Sequence, residues 1–227
     1  MIDYRLLENV KETLKEFSPY YRVYYNGVIV ERYKLVDVLS PRKSVNIRRP
    51  HYEGKIVHAI KKCVSISDDV VILGGGVGVS TVHVDRMLSG RGSIHVFEPS
   101  DFMIDIHQRT MKINDVKTNI KIEKKVVSYL KKPWGPSDAS TIQPEDLPKG
   151  DVLICDIEGA ESDVLPSLKN YETIIVETHG KLGSPTKLID ELLRDNGYSV
   201  RNTGVAEPSM WKENLRDDVM VLIAQKN

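Results

Sequence analysis

Acidic side chains and a histidine follow two buried strands of the sequence, and their chemistry suits proton transfer. The stretch DVLICDIEGAE places Asp156, Glu158 and Glu161 directly after an apolar run. The stretch YETIIVETH ends a second apolar run with Glu177 and His179, which share a face if the strand persists. Because ligands bind at the carboxyl ends of the strands in an open parallel sheet, we predict a site at this edge.

A glycine-rich turn follows another apolar run, in the stretch VVILGGGVGVST. Gly74, Gly76 and Gly78 lack the Cβ that would keep a ligand away from the backbone, and the start of the next helix offers unpaired N–H groups. Glu98 closes the next strand, SIHVFEPS, where a carboxylate can accept both hydroxyls of an adenosine ribose. The glycine turn and the acid at the end of the next strand together predict a nucleoside cofactor bound by the three glycines and Glu98.

The spacing of the glycines distinguishes between nucleoside cofactors. A GxGxxG dinucleotide fingerprint that starts at Gly74 would need a third glycine where the chain has Val79, which disfavours an NAD-binding oxidoreductase. The GxGxG spacing resembles that of Rossmann-like methyltransferases that use S-adenosylmethionine. The triple glycine also resembles aminopropyltransferases, which usually carry an acidic residue where this chain has Val77.

Strands and helices alternate from residue 69 onward, which is typical of an α/β fold. We predict a mostly parallel seven-stranded sheet with helices on both faces, in a Rossmann-like domain over residues 51–227. The predicted strands are Asp69–Leu73, Ser93–Phe97, Ile120–Val127, Asp151–Asp156 and Thr173–Glu177, with a last one in DDVMVLIAQKN.

Residues 1–50 form an addition to this domain. An amphipathic helix is predicted over residues 2–17, and Asn26-Gly27 between two β-prone runs predicts a tyrosine-rich hairpin. The addition would cap the active site or form a dimer contact, and the sequence leaves both open.

Three strings in order, FEPS, DIEGAE and VETH, resemble the FkbM-type methyltransferases, and the resemblance covers about residues 50–227. It implies methyl transfer from S-adenosylmethionine to a hydroxyl oxygen of a small molecule, sugar or lipid. The chain departs from the family at two positions: Ile72 replaces a usual acid and Ile154 a frequent lysine. A binding module without catalytic activity is therefore an alternative, as is an aminopropyl-type transferase.

Methyl transfer assigns roles to the acidic residues, because the acceptor hydroxyl must lose its proton. Asp156 is predicted nearest the reacting centre, beside the cofactor, as base or as acceptor-orienting group. His179 is the alternative base, and Glu158 and Glu161 would hold the acceptor or a divalent ion. Glu161 is equally compatible with a helix first turn, and His179 with an ordinary loop. No diagnostic ligand spacing is present, so we predict no metal.

The composition indicates a globular protein and limits its partners. The chain has 227 residues, 41% of them hydrophobic, and its 32 basic side chains balance 32 acidic ones. Zero net charge and the lack of an N/D-P-P-Y string predict no nucleic-acid partner. The absence of a long apolar run and of a signal core, with only Cys63 and Cys155, predicts a cytoplasmic protein without a membrane span.

Overall fold

A seven-stranded sheet is the centre of the protein in a computed structural model, which describes residues 4–39, 47–129, 138–168 and 170–227. Its strands are β4 (Asp69–Leu73), β5 (Ser93–Phe97), β6 (Asn119–Glu123), β9 (Val152–Cys155), β10 (Thr173–Glu177), β11 (Tyr198–Val205) and β12 (Met220–Lys226). They lie side by side in the order β11-β12-β10-β9-β4-β5-β6. Only the pairings of β12 with β10 and with β11 are antiparallel. The predicted fold class is confirmed.

Alternate residues of the central strands face two separate hydrophobic clusters, one on each side of the sheet. The helices around the sheet are α3 (Gly54–Cys63), α4 (Val79–Leu88), α5 (Asp101–Ile113), α6 (Glu161–Val164), α7 (Thr186–Asp195) and α8 (Trp211–Asp217). Leu73 packs in a cluster with Ile189 of α7, whereas Ile72 packs in a second cluster with Ile60 of α3 and Val84 of α4. Helices therefore cover both faces of the sheet.

The N-terminal part contains the expected helix and hairpin. Its elements are α1 (Tyr4–Phe17), β1 (Tyr20–Tyr25), β2 (Val28–Tyr33), α2 (Lys34–Leu39) and β3 (Arg48–Arg49). Asn26 and Gly27 have φ of 48° and 76°, as a two-residue hairpin turn needs. Val23 and Tyr33 belong to a third cluster with Phe102 and Ile106, so the hairpin packs against α5. A role as a cap or a dimer contact stays a prediction.

Two details of the strand prediction were wrong. The predicted strand Ile120–Val127 is divided, because β7 (Lys125–Val127) leaves the main sheet and pairs with β8 (Ser140–Ile142). Strand β11 was not predicted, because Asn202 and Gly204 interrupt its pattern with residues typical of turns. Over the described ranges, no helix combines the length and the hydropathy that a membrane span requires.

The register of the sheet brings the predicted site residues to one edge. Leu73 of β4 lies beside Phe97 of β5 and Cys155 of β9, and Cys155 lies beside Val176 of β10. The residues that follow these four are Gly74, Glu98, Asp156 and Glu177. Strand β4 lies between β9 and β5, where the strand order reverses, and an open sheet offers a ligand crevice at that point.

Candidate active site

The glycine turn begins at a position where only glycine fits. Gly74 has φ of +84°, and its N–H donates to the carbonyl of Phe97 at 3.0 Å. A Cβ at this position would lie 1.8 Å from the backbone oxygen of Asp156. The close contact of these two backbones joins the predicted cofactor turn to the predicted reacting centre.

The middle of the turn faces open space. Gly76 has φ of +47°, and a Cβ built on it would meet no atom within 4 Å. Gly78, with φ of +87°, is the N-cap of α4. The N–H groups of Gly76 and Gly78 already donate, to Glu98 and to the carbonyl of Gly75, so amides for a ligand would come from the start of α4.

Glu98 is tied directly to this turn. Its Oε2 accepts the N–H of Gly76 at 2.9 Å, and its Oε1 accepts the N–H of Ser100 at 2.9 Å. The side chain is buried. Binding of ribose by Glu98 stays a prediction.

The side chain of His107 packs against the glycine turn, and the sequence analysis did not identify this residue. It is fully buried, and neither ring nitrogen has a hydrogen-bond partner in the part of the chain that the structure describes. Its ring lies about 3 Å from the positions where Cβ atoms at Gly75 and Gly78 would be. Burial lowers the pKa of His107 to about 4, so the ring is neutral near pH 7. Its position on the buried face of α5, beside Ile106, was the available signal.

Asp156 and Glu158 differ sharply in exposure. Asp156 continues β9, its N–H donating to the carbonyl of Leu73 at 3.0 Å, and its side chain is 27% exposed. Glu158 has φ of 53°, and its side chain is 80% exposed. The prediction that Glu158 holds an acceptor stays open, whereas the backbone fixes Asp156 beside Gly74.

A buried ion pair orients His179. Its Nδ1 lies 2.8 Å from Oε1 of Glu161, a side chain with no exposure. Desolvation by itself would lower the pKa of His179, but the Glu161 hydrogen bond and the charge of Asp156 raise it to about 9. Glu161 does begin α6, yet its side chain reaches back to His179. Both side chains are therefore buried and paired with each other, and their roles in a site stay a prediction.

The other ring nitrogen of His179 faces three carboxylates. Its Nε2 lies 3.6 Å from Oδ1 of Asp156, 3.7 Å from Oε1 of Glu177 and 3.8 Å from Oε2 of the exposed Glu158. Strand β10 ends at Glu177, so Glu177 and His179 do not share a strand face, but their side chains still come together. Desolvation raises the pKa of Asp156 and of Glu177, and the negative charges of Glu53 and Glu158 add to both increases.

Glu53 is a second residue that sequence analysis missed. It precedes α3 with φ of 49°, and its Oε2 accepts a hydrogen bond from Oγ of Ser80 at 2.6 Å. Ser80 lies in the first turn of α4, directly after the glycine turn. No local pattern identifies Glu53, because its partners come from elements distant in sequence.

The two departures from the FkbM pattern lie in the hydrophobic core. Ile72 and Ile154 are adjacent across β4 and β9, and each is 1% exposed. Both belong to the cluster that packs under α3 and α4. A charged side chain at either position in this protein would be surrounded by hydrocarbon.

Comparison with known proteins shows which solved structures share the fold of this chain. No protein-family model and no curated protein sequence matches the chain. Among solved structures, it is similar to precorrin-6y C5,15-methyltransferase from Geobacter metallireducens, with a TM-score of 0.54 and 12% identity, covering 84% of this chain and 96% of that one. It is also similar to Methanocaldococcus jannaschii Trm5 in complex with adenosine (TM-score 0.57, 16% identity, 92% and 55% covered). A third is the M. jannaschii tRNA m1G37 methyltransferase (0.56, 17%, 100% and 67%).

The chain therefore has the Rossmann-like fold of these methyltransferases, as the sequence predicted. The likeness concerns the fold, and the predicted enzyme class and cofactor are taken up as proposals below. Membership of the FkbM type depends on sequence motifs alone and stays a prediction.

The exclusion of nucleic acid as a partner was wrong. A tRNA methyltransferase shares its fold with this chain over the whole of the sequence. The prediction failed because a net charge of zero is a sum over all side chains, and recognition depends on the local distribution of charge.

Proposed function

We propose that the protein transfers a methyl group from S-adenosylmethionine to an oxygen of its acceptor. The observation that carries the proposal is the glycine turn, which is open over Gly76 and bound to Glu98. In this assignment Glu98 accepts the ribose hydroxyls, and the amides after Gly76 face the rest of the cofactor. The sulfonium methyl then lies toward Asp156, whose backbone contacts Gly74.

The reaction is an in-line displacement at the methyl carbon. The bond from sulfur to methyl breaks as the bond from acceptor oxygen to methyl forms, and S-adenosylhomocysteine leaves. The acceptor must lose its proton, and Asp156 is the side chain placed to accept it or to orient the hydroxyl. Desolvation and the charges of Glu158 and Glu53 raise the pKa of Asp156 to about 8 against the opposing charge of His179, so Asp156 is a strong base once it has lost its proton.

An oxygen acceptor fits the carboxylates of the second half of the site, because carboxylates hold and deprotonate hydroxyl groups. The motifs favour a hydroxyl on a small molecule, a sugar or a lipid. RNA belongs in the test beside these acceptors, because the fold is shared with a tRNA methyltransferase.

Cofactor binding is tested by calorimetry with S-adenosylmethionine, S-adenosylhomocysteine, decarboxylated S-adenosylmethionine and NAD. We expect the first two to bind and NAD not to bind. Glu98→Gln should weaken S-adenosylmethionine binding by about tenfold, the effect of one lost charged hydrogen bond. The matched control is Glu123→Gln, since Glu123 ends the neighbouring strand β6 and pairs with His95. Equal affinity in both variants would remove Glu98 from the cofactor site, and preference for the decarboxylated compound would favour aminopropyl transfer.

Turnover is tested by release of S-adenosylhomocysteine with hydroxylated small molecules, sugars, lipids and RNA as acceptors. Asp156→Asn should lower kcat by about a hundredfold or more, because an amide cannot accept the proton. Its affinity for S-adenosylmethionine should stay near that of the unchanged protein. Full turnover in Asp156→Asn contradicts the role of Asp156, and binding without turnover on any acceptor favours the non-catalytic module.

A further inference from the structure

Asp156, Glu177 and His179 each offer one ligand atom, and these three atoms lie within 4.8 Å of one another. We propose that they bind a divalent first-row transition metal ion. This triad joins the ends of two neighbouring strands, β9 and β10, at the edge that holds the glycine turn. The sequence analysis predicted no metal because the three ligands come from separate motifs and form no ligand string.

The distances within the triad suit a shared ion better than direct hydrogen bonds. Nε2 of His179 lies 3.6 Å from Oδ1 of Asp156 and 3.7 Å from Oε1 of Glu177. Both exceed the length of a protein hydrogen bond. Ligand bonds of about 2.1 Å in tetrahedral geometry place neighbouring ligand atoms about 3.4 Å apart, so small shifts would complete the site.

Glu161 holds the histidine as a metal ligand is usually held. It has no exposure, and its Oε1 lies 2.8 Å from Nδ1 of His179. Metal-binding histidines commonly donate their second ring N–H to a carboxylate, which fixes the ring and leaves the other nitrogen for the ion. His179 itself is only 6% exposed, and its Nε2 lies within 4 Å of the carboxylates of Asp156 and Glu177, with the exposed Glu158 beside them.

The ligand set indicates the class of ion. Magnesium and calcium prefer sites made of oxygen atoms alone, whereas imidazole favours transition metals. One nitrogen with two carboxylate oxygens therefore points to Zn²⁺ or Mn²⁺. Neither Asp156 nor Glu177 accepts a side-chain hydrogen bond within the described ranges, which leaves both carboxylates free to coordinate.

A catalytic role for this metal ion rests on the proposed function, whereas binding of the ion to the triad does not. A metal at the triad lies beside the backbone contact of Asp156 with Gly74, where the acceptor oxygen must arrive. A divalent ion lowers the pKa of a bound hydroxyl and supports displacement by it. Asp156 would then orient the acceptor through the ion and would not remove the proton directly.

The test is calorimetric titration of the full chain, stripped with chelator, with ZnCl₂, MnCl₂ and MgCl₂. We expect one ion per chain, with Zn²⁺ or Mn²⁺ bound more tightly than Mg²⁺. Glu177→Gln and Asp156→Asn should each weaken binding by about tenfold or more. Glu191→Gln is the control, because Glu191 is an exposed acid of α7 that pairs with Lys187 and belongs to neither half of the site. It should change affinity by about twofold or less.

Binding of S-adenosylmethionine, measured on the same metal-free samples, separates this proposal from the proposed function. A chain that binds the cofactor but shows no saturable metal binding overturns the metal site alone. Equal loss in Glu191→Gln and Glu177→Gln also overturns it, because general acidic attraction then explains the binding. If Glu177→Gln loses its far-UV circular dichroism and is therefore unfolded, the metal affinity of Asp156→Asn is compared with that of the control variant instead.

Discussion

The two halves of the candidate site lie at one sheet edge but are built differently. In the glycine-turn half, the carboxylate of Glu98 is satisfied by backbone N–H groups of Gly76 and Ser100. In the acidic half, Asp156 and Glu177 lie near His179 at distances too long for hydrogen bonds. The first half is defined by backbone conformation and the second by unbalanced charge. A neutral turn suits a nucleoside, and a crowded acidic group suits a cation or a proton to be moved.

The largest expected effect concerns the backbone of the glycine-turn half. Gly74→Ala should lower the free energy of unfolding by about 4 kcal/mol or more, because its Cβ would overlap the backbone of Asp156. Gly27→Ala is the control, with a similar φ of +76° but no atom within 4 Å of the added carbon. It should cost only about 1 kcal/mol. Urea unfolding followed by circular dichroism measures both, and equal losses would mean that the two backbones do not touch.

A smaller effect is expected in the acidic half. Glu161→Gln should lower the free energy of unfolding by about 3 kcal/mol, because it removes the buried anion that is hydrogen-bonded to Nδ1 of His179. Glu158→Gln changes an exposed acid near the same ring and should cost less than about 0.5 kcal/mol. The same unfolding experiment compares them. If Glu161→Gln is as stable as Glu158→Gln, charge does not hold the second half together.

The strands that surround the site were predictable because their sequence signals are local. Asp69–Leu73, Ser93–Phe97 and Thr173–Glu177 have the predicted bounds, since each is a compact apolar run with polar or glycine neighbours. The run from Ile120 to Val127 was not resolved into β6 and β7, because both parts are β-prone and only pairing separates them. Local propensity identifies a strand, but it does not select the partner of that strand.

The site residues divide in the same way. Gly74 and Glu98 follow from short motifs, because a bare turn and a strand-end acid are local features. His107 and Glu53 were missed because their contacts come from other elements: His107 of α5 lies against the glycine turn, and Glu53 before α3 binds Ser80 of α4. The exclusion of nucleic acid failed for a related reason, since composition does not show where charges lie.

The sequence by itself determined the alternation of strands and helices, the glycine turn and the acids at the strand ends, because neighbouring residues encode these features. The tertiary structure decided the strand order and the sheet register that bring Gly74, Asp156 and Glu177 together. It also decided that Glu161 pairs with His179 and that His107 lies under the turn. Such contacts join residues far apart in the chain, and packing of the whole core selects them.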